Sequence, residues 1–221
     1  SHYIAVLIMV LSLPNMVLFN QVNILIYIFL ASLFSGVSNY IISYQSRQFR
    51  QNAIKDHLTQ LFNRRYFDET LDTLITRGSS KNETFGVILA DIDNFKNYND
   101  KFGHAVGDSA LQLVANFLST EVGLHNIVCR YGGDEFVILV PNATDKELIQ
   151  LAERLNINVK QVDCSLENVK APKITISMGL ALFPHNGFTG EQLVFHADAQ
   201  LLRAKEGGKD TIAIDHFGST I

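Results

Sequence analysis

The sequence predicts an α+β domain, a central mostly antiparallel sheet with helices on its faces. Three observations lead there. Residues 127–129 and 136–140 are short apolar runs joined across Gly132-Gly133, the pattern of a β-hairpin. Residues 85–90 form a nearly continuous apolar run, as expected of a strand covered on both faces. Helical spacing recurs between the strands: Leu111, Val114, Phe117 and Leu118 make one apolar face, and Leu193, Ala197, Leu201 and Ala204 another.

A different segment precedes this domain. Residues 1–46 contain no Asp, Glu, Lys or Arg. A helix crossing a bilayer needs about 20 apolar residues. Residues 22–44 meet that length; residues 3–19 are shorter and contain Pro14, and Asn20-Gln21 reads as the turn between them. The expectation is a transmembrane helical hairpin over residues 1–45, the end of a larger membrane sensor. An uncharged run this long fits the buried hairpin of a soluble domain less well. Arg47, Arg50 and Lys55 follow at once, which puts this end in the cytoplasm. Residues 46–57 then read as a juxtamembrane linker helix, with Phe49, Ala53 and Ile54 at rough helical spacing, and the main domain as 58–217.

The rest of the chain follows in order. Residues 77–82 are a loop by composition. Asp108 reads as the N-cap of the next helix. Thr144-x-x-Glu147 and Thr189-x-x-Gln192 read as capping boxes that start two more. Residues 173–183 alternate as a strand, and residues 211–214 close the sheet. A net charge of −4 leaves no basic footprint for nucleic acid. Cys129 and Cys164 have no metal-ligand spacing and read as reduced thiols.

The chemistry sits in two acidic clusters. Asp134 and Glu135 are expected together at the hairpin tip, where a divalent cation would relieve their repulsion. Asp91-Ile92-Asp93 ends the buried strand. An acidic tip alone is an ordinary turn; beside a second acidic cluster it suits oxygen-ligated magnesium, the usual partner of a nucleoside triphosphate. A calcium loop over 91–99 is excluded, because Phe95 and Lys96 stand where an oxygen ligand and a glycine are required. There is no P-loop motif either.

Several motifs in sequence order carry a family resemblance: Asp56-His57-Leu58-Thr59 with Asn63-Arg64-Arg65, the run from Asp91 to Asp100, Phe102-Gly103-His104, Gly107-Asp108, Arg130-Tyr131-Gly132-Gly133-Asp134-Glu135-Phe136, Ser177-Met178-Gly179, Ala197-Asp198 and Ala204-Lys205. The chain resembles the GGDEF family of diguanylate cyclases from about Asp56 to Phe217. That resemblance implies the palm-like sheet of nucleotide cyclases. It implies condensation of two GTP into cyclic di-GMP and two pyrophosphates, with Mg2+ or Mn2+, between two facing copies of the domain. It also implies a bacterial plasma-membrane protein with a cytoplasmic catalytic domain.

By the same resemblance, Asp91, the Ile92 carbonyl and Glu135 are metal ligands. Glu135, Asp134 and Lys96 serve catalysis. The backbone of Asn94, Phe95 and Lys96, with Lys205 and Lys209, holds phosphates, and Asn99 with Asp108 selects guanine. Lys205 and Lys209 also fit a helix C-terminus that attracts cations. Arg64 and Arg65 read equally as a solvated helix face or as catalytic groups. The sequence departs from the family pattern at Lys209 and Asp210, where arginine and asparagine are usual, which implies weaker GTP binding. The Arg-x-x-Asp of the family's product-inhibition site is replaced at Gly123 and Asn126. The alternative is a catalytically inactive GTP-binding signalling module.

Overall fold

The strand that carries Asp91 lies in the interior of a six-stranded sheet. In the computed structural model, which describes residues 23–24, 26–45, 54–163 and 173–215, all eight residues of Phe85–Ile92 (β2) are buried. The chain divides into two units, Ser1–Ala53 and Ile54–Ile221.

In the first unit, Ile26–Gln45 (α1) is a 20-residue helix of mean hydropathy 1.5, long and apolar enough to cross a membrane. Tyr27, Phe29 and Phe34 are exposed along it. The expected first helix, residues 3–19, lies outside the described residues.

The second unit runs Phe62–Asn63 (β1), Arg64–Lys81 (α2), β2, Phe95–Phe102 (α3), His104–Val122 (α4), Ile127–Gly132 (β3), Glu135–Pro141 (β4), Asp145–Val159 (α5), Ile176–Phe183 (β5), Gly190–Glu206 (α6) and Ile212–Ile214 (β6). The sheet order is β1-β3-β4-β2-β5-β6. The four inner strands pair antiparallel, as expected, while the short edges β1 and β6 pair parallel and make the sheet mixed.

Alternation along β2 sorts the core. Ile88, Ala90 and Ile92 pack with Leu111 and Val114 of α4 and Leu148 of α5. Phe85, Val87 and Leu89 pack with Phe67 and Leu71 of α2 and Leu193 and Leu201 of α6. A Cβ on Gly179 of β5 would meet the Ala197 carbonyl oxygen and the Leu201 nitrogen, so α6 lies directly on the strand.

Both capping residues act as expected. Thr144 accepts from the Glu147 amide while Glu147 accepts from the Thr144 amide, a complete box. Thr189 accepts from the Gln192 amide, but Gln192 reaches one residue further back, to the Phe188 amide.

Four expectations are corrected. Residues 77–81 are the last turn of α2, not a loop, which ends only at left-handed Asn82. Gly78 is buried there because a side chain would collide with Phe183. Asp108 is not an N-cap; α4 begins at His104 after Gly103, at φ 86°. The linker helix does not reach His57. Lys55 makes a bridge to Phe62 and a turn follows, while residues 46–53 lie outside the described residues. Lys209 is not on α6, which ends at Glu206. Cys129 is buried, and burial pushes its thiol up to about 12; Cys164 lies outside the described residues.

Candidate active site

Register sets the acidic half of the site. Asp91 stands directly opposite Glu135 of β4 and Ser177 of β5, so all three side chains share the sheet face beneath α6. The Ile92 amide donates to the Asp134 carbonyl at 3.3 Å, continuing the ladder into the hairpin. The tip is Gly133-Asp134, with Gly133 at φ 48°; Glu135 already belongs to the strand and is not part of the tip. Two carboxylates therefore face each other across a ladder rung with a third beside them.

Asp91 is 8% exposed. Burial pushes its carboxyl up to about 6; the Lys205 ammonium, 2.9 Å from Oδ2, pulls it down, and Asp134 and Glu135 push it up again. A buried carboxylate with like-charged neighbours, balanced by one ammonium, is a donor set that suits a hard divalent cation. Among the described residues no three His, Cys, Asp or Glu side chains form a metal cluster.

The cationic half comes from segments distant in sequence. Asn94, at φ 58°, precedes α3 and makes no side-chain cap. The first-turn amides of a helix lack intrahelical acceptors, and the helix dipole favours an anion there. Asn94 Oδ1 instead accepts from Lys209 Nζ at 2.6 Å. A cleft of about 300 Å³ is lined by Asp91, Ile92, Asn94, Phe95, Lys96, Asp134, Lys205 and Lys209. Glu135 lines an adjoining cleft of about 440 Å³ with Arg64, Tyr131 and Asp198.

Asn99 and Asp108 lie away from both clefts, at the junction of α3 and α4. A Cβ on Gly107 would fall on Asn99 Oδ1, so the glycine makes room for the amide next to Asp108. Asn99 Oδ1 is buried with no hydrogen-bond partner among the described residues. Such a group costs stability unless a ligand satisfies it. Arg64 lies over the Tyr131 ring at 4.4 Å and Arg65 pairs with Glu69 at 2.8 Å.

Sequence reasoning missed the residues that hold this site together. Arg130 donates to the Gly133 carbonyl through Nε and Nη2 and to Asp56 Oδ1 through Nη1, tying the hairpin turn to the opening Asp-x-Leu-Thr motif. Burial would raise the Asp56 carboxyl, but hydrogen bonds from Thr59 and the Arg130 guanidinium outweigh it and leave the group below its usual value. Asp93 accepts from Thr175 and Ser177 hydroxyls at 2.7 and 2.6 Å and from the Asp210 amide at 2.9 Å. Asp210 also pairs with Lys160 Nζ at 2.8 Å, so its charge is not left bare beside the cleft. An arginine three residues before a turn carbonyl is a local signal that could have been read. The Asp93 and Lys160 contacts span too much sequence for any spacing rule.

Comparison with known proteins identifies the family of the second unit. The model of the family "Diguanylate cyclase, GGDEF domain" matches residues 53–211. The response regulator PleD of Caulobacter vibrioides is 35% identical over 161 residues, 72% of this chain and 36% of PleD. The bifunctional diguanylate cyclase/cyclic di-GMP phosphodiesterase MucR of Pseudomonas aeruginosa is 35% identical over 75% of this chain and 24% of its own length. The chain thus spans about a third or less of these two relatives. Among solved structures, the coiled coil and GGDEF domain of DgcB from Caulobacter crescentus, crystallised with c-di-GMP, matches with TM-score 0.71 and 27% identity over 82% of this chain and 95% of that one. Over its second structural unit, with a two-carboxylate rung beside an uncapped helix start, the chain belongs to the GGDEF family of diguanylate cyclase domains.

Proposed function

We propose that this protein is a diguanylate cyclase that condenses two GTP molecules into cyclic di-GMP and two pyrophosphates. The observation that carries the reading is the rung of Asp91 and Glu135 beside the uncapped N-terminus of α3. Asp91, the Ile92 carbonyl and Glu135 would hold Mg2+, or Mn2+ in its place. When bound, that ion supplies Lewis acidity at the α-phosphate and lowers the pKa of the attacking 3′-hydroxyl.

The chain's own groups do the rest. Amides of Asn94, Phe95 and Lys96 bind the terminal phosphates, and the Lys96 ammonium stabilises charge developing in the transition state. Lys205 exchanges its ion pair with Asp91 for the terminal phosphate, and Lys209 adds a second cation. Asn99 and Asp108 accept from the donor edge of guanine; adenine leaves them unpaired. Glu135, with Asp134 beside it, takes up the proton of the attacking hydroxyl. One domain presents one such site, so a homodimer with two facing copies is required. Helix α1 anchors the protein in the bacterial plasma membrane, with the domain in the cytoplasm.

Gly123 and Asn126 close the end of α4, where the Asn126 amide group donates to the Val122 carbonyl. Without an arginine and an aspartate there, feedback by the product at this position is absent. The test of the function is incubation of the purified 221-residue chain in detergent with GTP and Mg2+, followed by chromatography. Cyclic di-GMP is expected from the parent and at least about 100-fold less from Glu135→Gln. GTP bound without turnover in both proteins would favour the silent signalling module, the reading that the Lys209-Asp210 departure supports.

A further inference from the structure

The departure at Asp210 does not stand alone. Gly208, Lys209 and Asp210 all have positive φ, at 119°, 65° and 51°. Two consecutive non-glycine residues in the left-handed region persist only where surrounding contacts hold them. The Lys209 amide donates to the Ala204 carbonyl at 3.1 Å, and three further ties hold Asp210. The Asp210 amide donates to Asp93 Oδ2 at 2.9 Å. Lys160 Nζ, from the C-cap of α5, lies 2.8 Å from Asp210 Oδ1. Asn156 Nδ2, one turn earlier on α5, donates to the same Oδ1 at 3.4 Å and to the Ile176 carbonyl at 2.9 Å. The result is that Lys209 reaches Asn94 at the phosphate end of the cleft.

We infer that Lys160 is a positioning residue for nucleotide binding: by pairing with Asp210 it cancels a carboxylate beside the phosphate site and fixes the turn that aims Lys209 into it. This rests on the proposed GTP site. Asparagine at 210 would keep the amide bond to Asp93 and an oxygen for Asn156 without a charge. Aspartate requires a cation, and the only one paired with it among the described residues is Lys160. Lys160 touches none of the groups assigned to substrate, so its effect must pass through Asp210.

The test is a double-variant cycle of K160M, D210N and K160M/D210N in the full chain. It is read as KM for GTP against kcat, with equilibrium binding of a non-hydrolysable GTP analogue and thermal melting alongside. K160M is expected to raise KM and weaken analogue binding roughly two- to fivefold, as for a partly exposed pair, with a smaller change in kcat. D210N in the same background is expected to restore both, and Lys160→Arg to keep them. Parent-like binding by K160M, or a double variant no better than K160M, overturns the inference alone. A parent that binds no guanosine nucleotide overturns it together with the proposed function.

Discussion

The two halves of the cleft are built in different ways. Asp91 and Glu135 are fixed by strand register, inside a ladder where a one-residue slip would turn them to the other face. Lys205 and Lys209 come from the end of α6 and from a left-handed turn, held by side-chain contacts to Asp91 and Asn94. The carboxylates are therefore placed by the backbone ladder, while the cations are held by side-chain bonds that, under the proposed function, a nucleotide would replace.

The largest expected effect comes from the acidic half. Asp91→Asn should abolish turnover yet stabilise the nucleotide-free protein at pH 8. The sign follows from the raised carboxyl. In the folded chain Asp91 titrates at about 6, against 3.8 for the ordinary group. The folded state thus holds its proton more tightly, and ionisation on going from pH 4 to pH 7 costs stability, at most about 3 kcal/mol. Denaturant melts of parent and variant should differ at pH 8 and converge near pH 4. A variant less stable at pH 8 would show that Lys205 more than offsets the burial and the neighbouring acids.

A smaller effect is expected where the hairpin is tied to the opening motif. Asp56→Asn should cost about 2–3 kcal/mol at neutral pH, below the range for breaking a fully buried pair, because Asp56 and Arg130 are 15% and 14% exposed. The Asp56 carboxyl is held below its usual value, so its contribution is complete above about pH 4 and fades as the pH falls through its folded value. The gap between parent and variant should therefore narrow across that acid range, as urea melts from pH 2 to 7 would show.

The cationic half should respond least. Lys209→Arg offers a guanidinium with bidentate geometry for phosphate, and a gain of less than about tenfold in GTP affinity is expected. Isothermal titration would read it. An unchanged affinity would mean that the contact to Asn94, not the phosphate, sets the role of Lys209.

What the sequence made legible follows the same division. The continuous apolar run of β2, the hairpin around Gly132-Gly133 and the Thr144 box are local patterns, and each forms where the pattern puts it. Local rules failed where packing overrides them. Gly78 suggests a loop, but Phe183 fills the space beside it and α2 continues. Asp108 has the chemistry of an N-cap, but α4 starts earlier, where its first turn meets the end of α3. The two acidic clusters were legible because Asp91 stands near the end of one recognisable strand and Glu135 beside the start of another, but their pairing as a rung was not, since Glu135 read as part of the hairpin tip. The partner of Asp210 was not, because Lys160 lies on a different helix and nothing between them is periodic.

The central claim is that the Asp91–Glu135 rung and the start of α3 together grip a divalent ion with guanosine triphosphate. Electron paramagnetic resonance of Mn2+ titrated into the full chain with and without the non-hydrolysable GTP analogue tests it most directly. The account predicts tight Mn2+ binding only when the analogue is present, lost in both Asp91→Asn and Glu135→Gln. Nucleotide-dependent Mn2+ binding that survives both substitutions would contradict it.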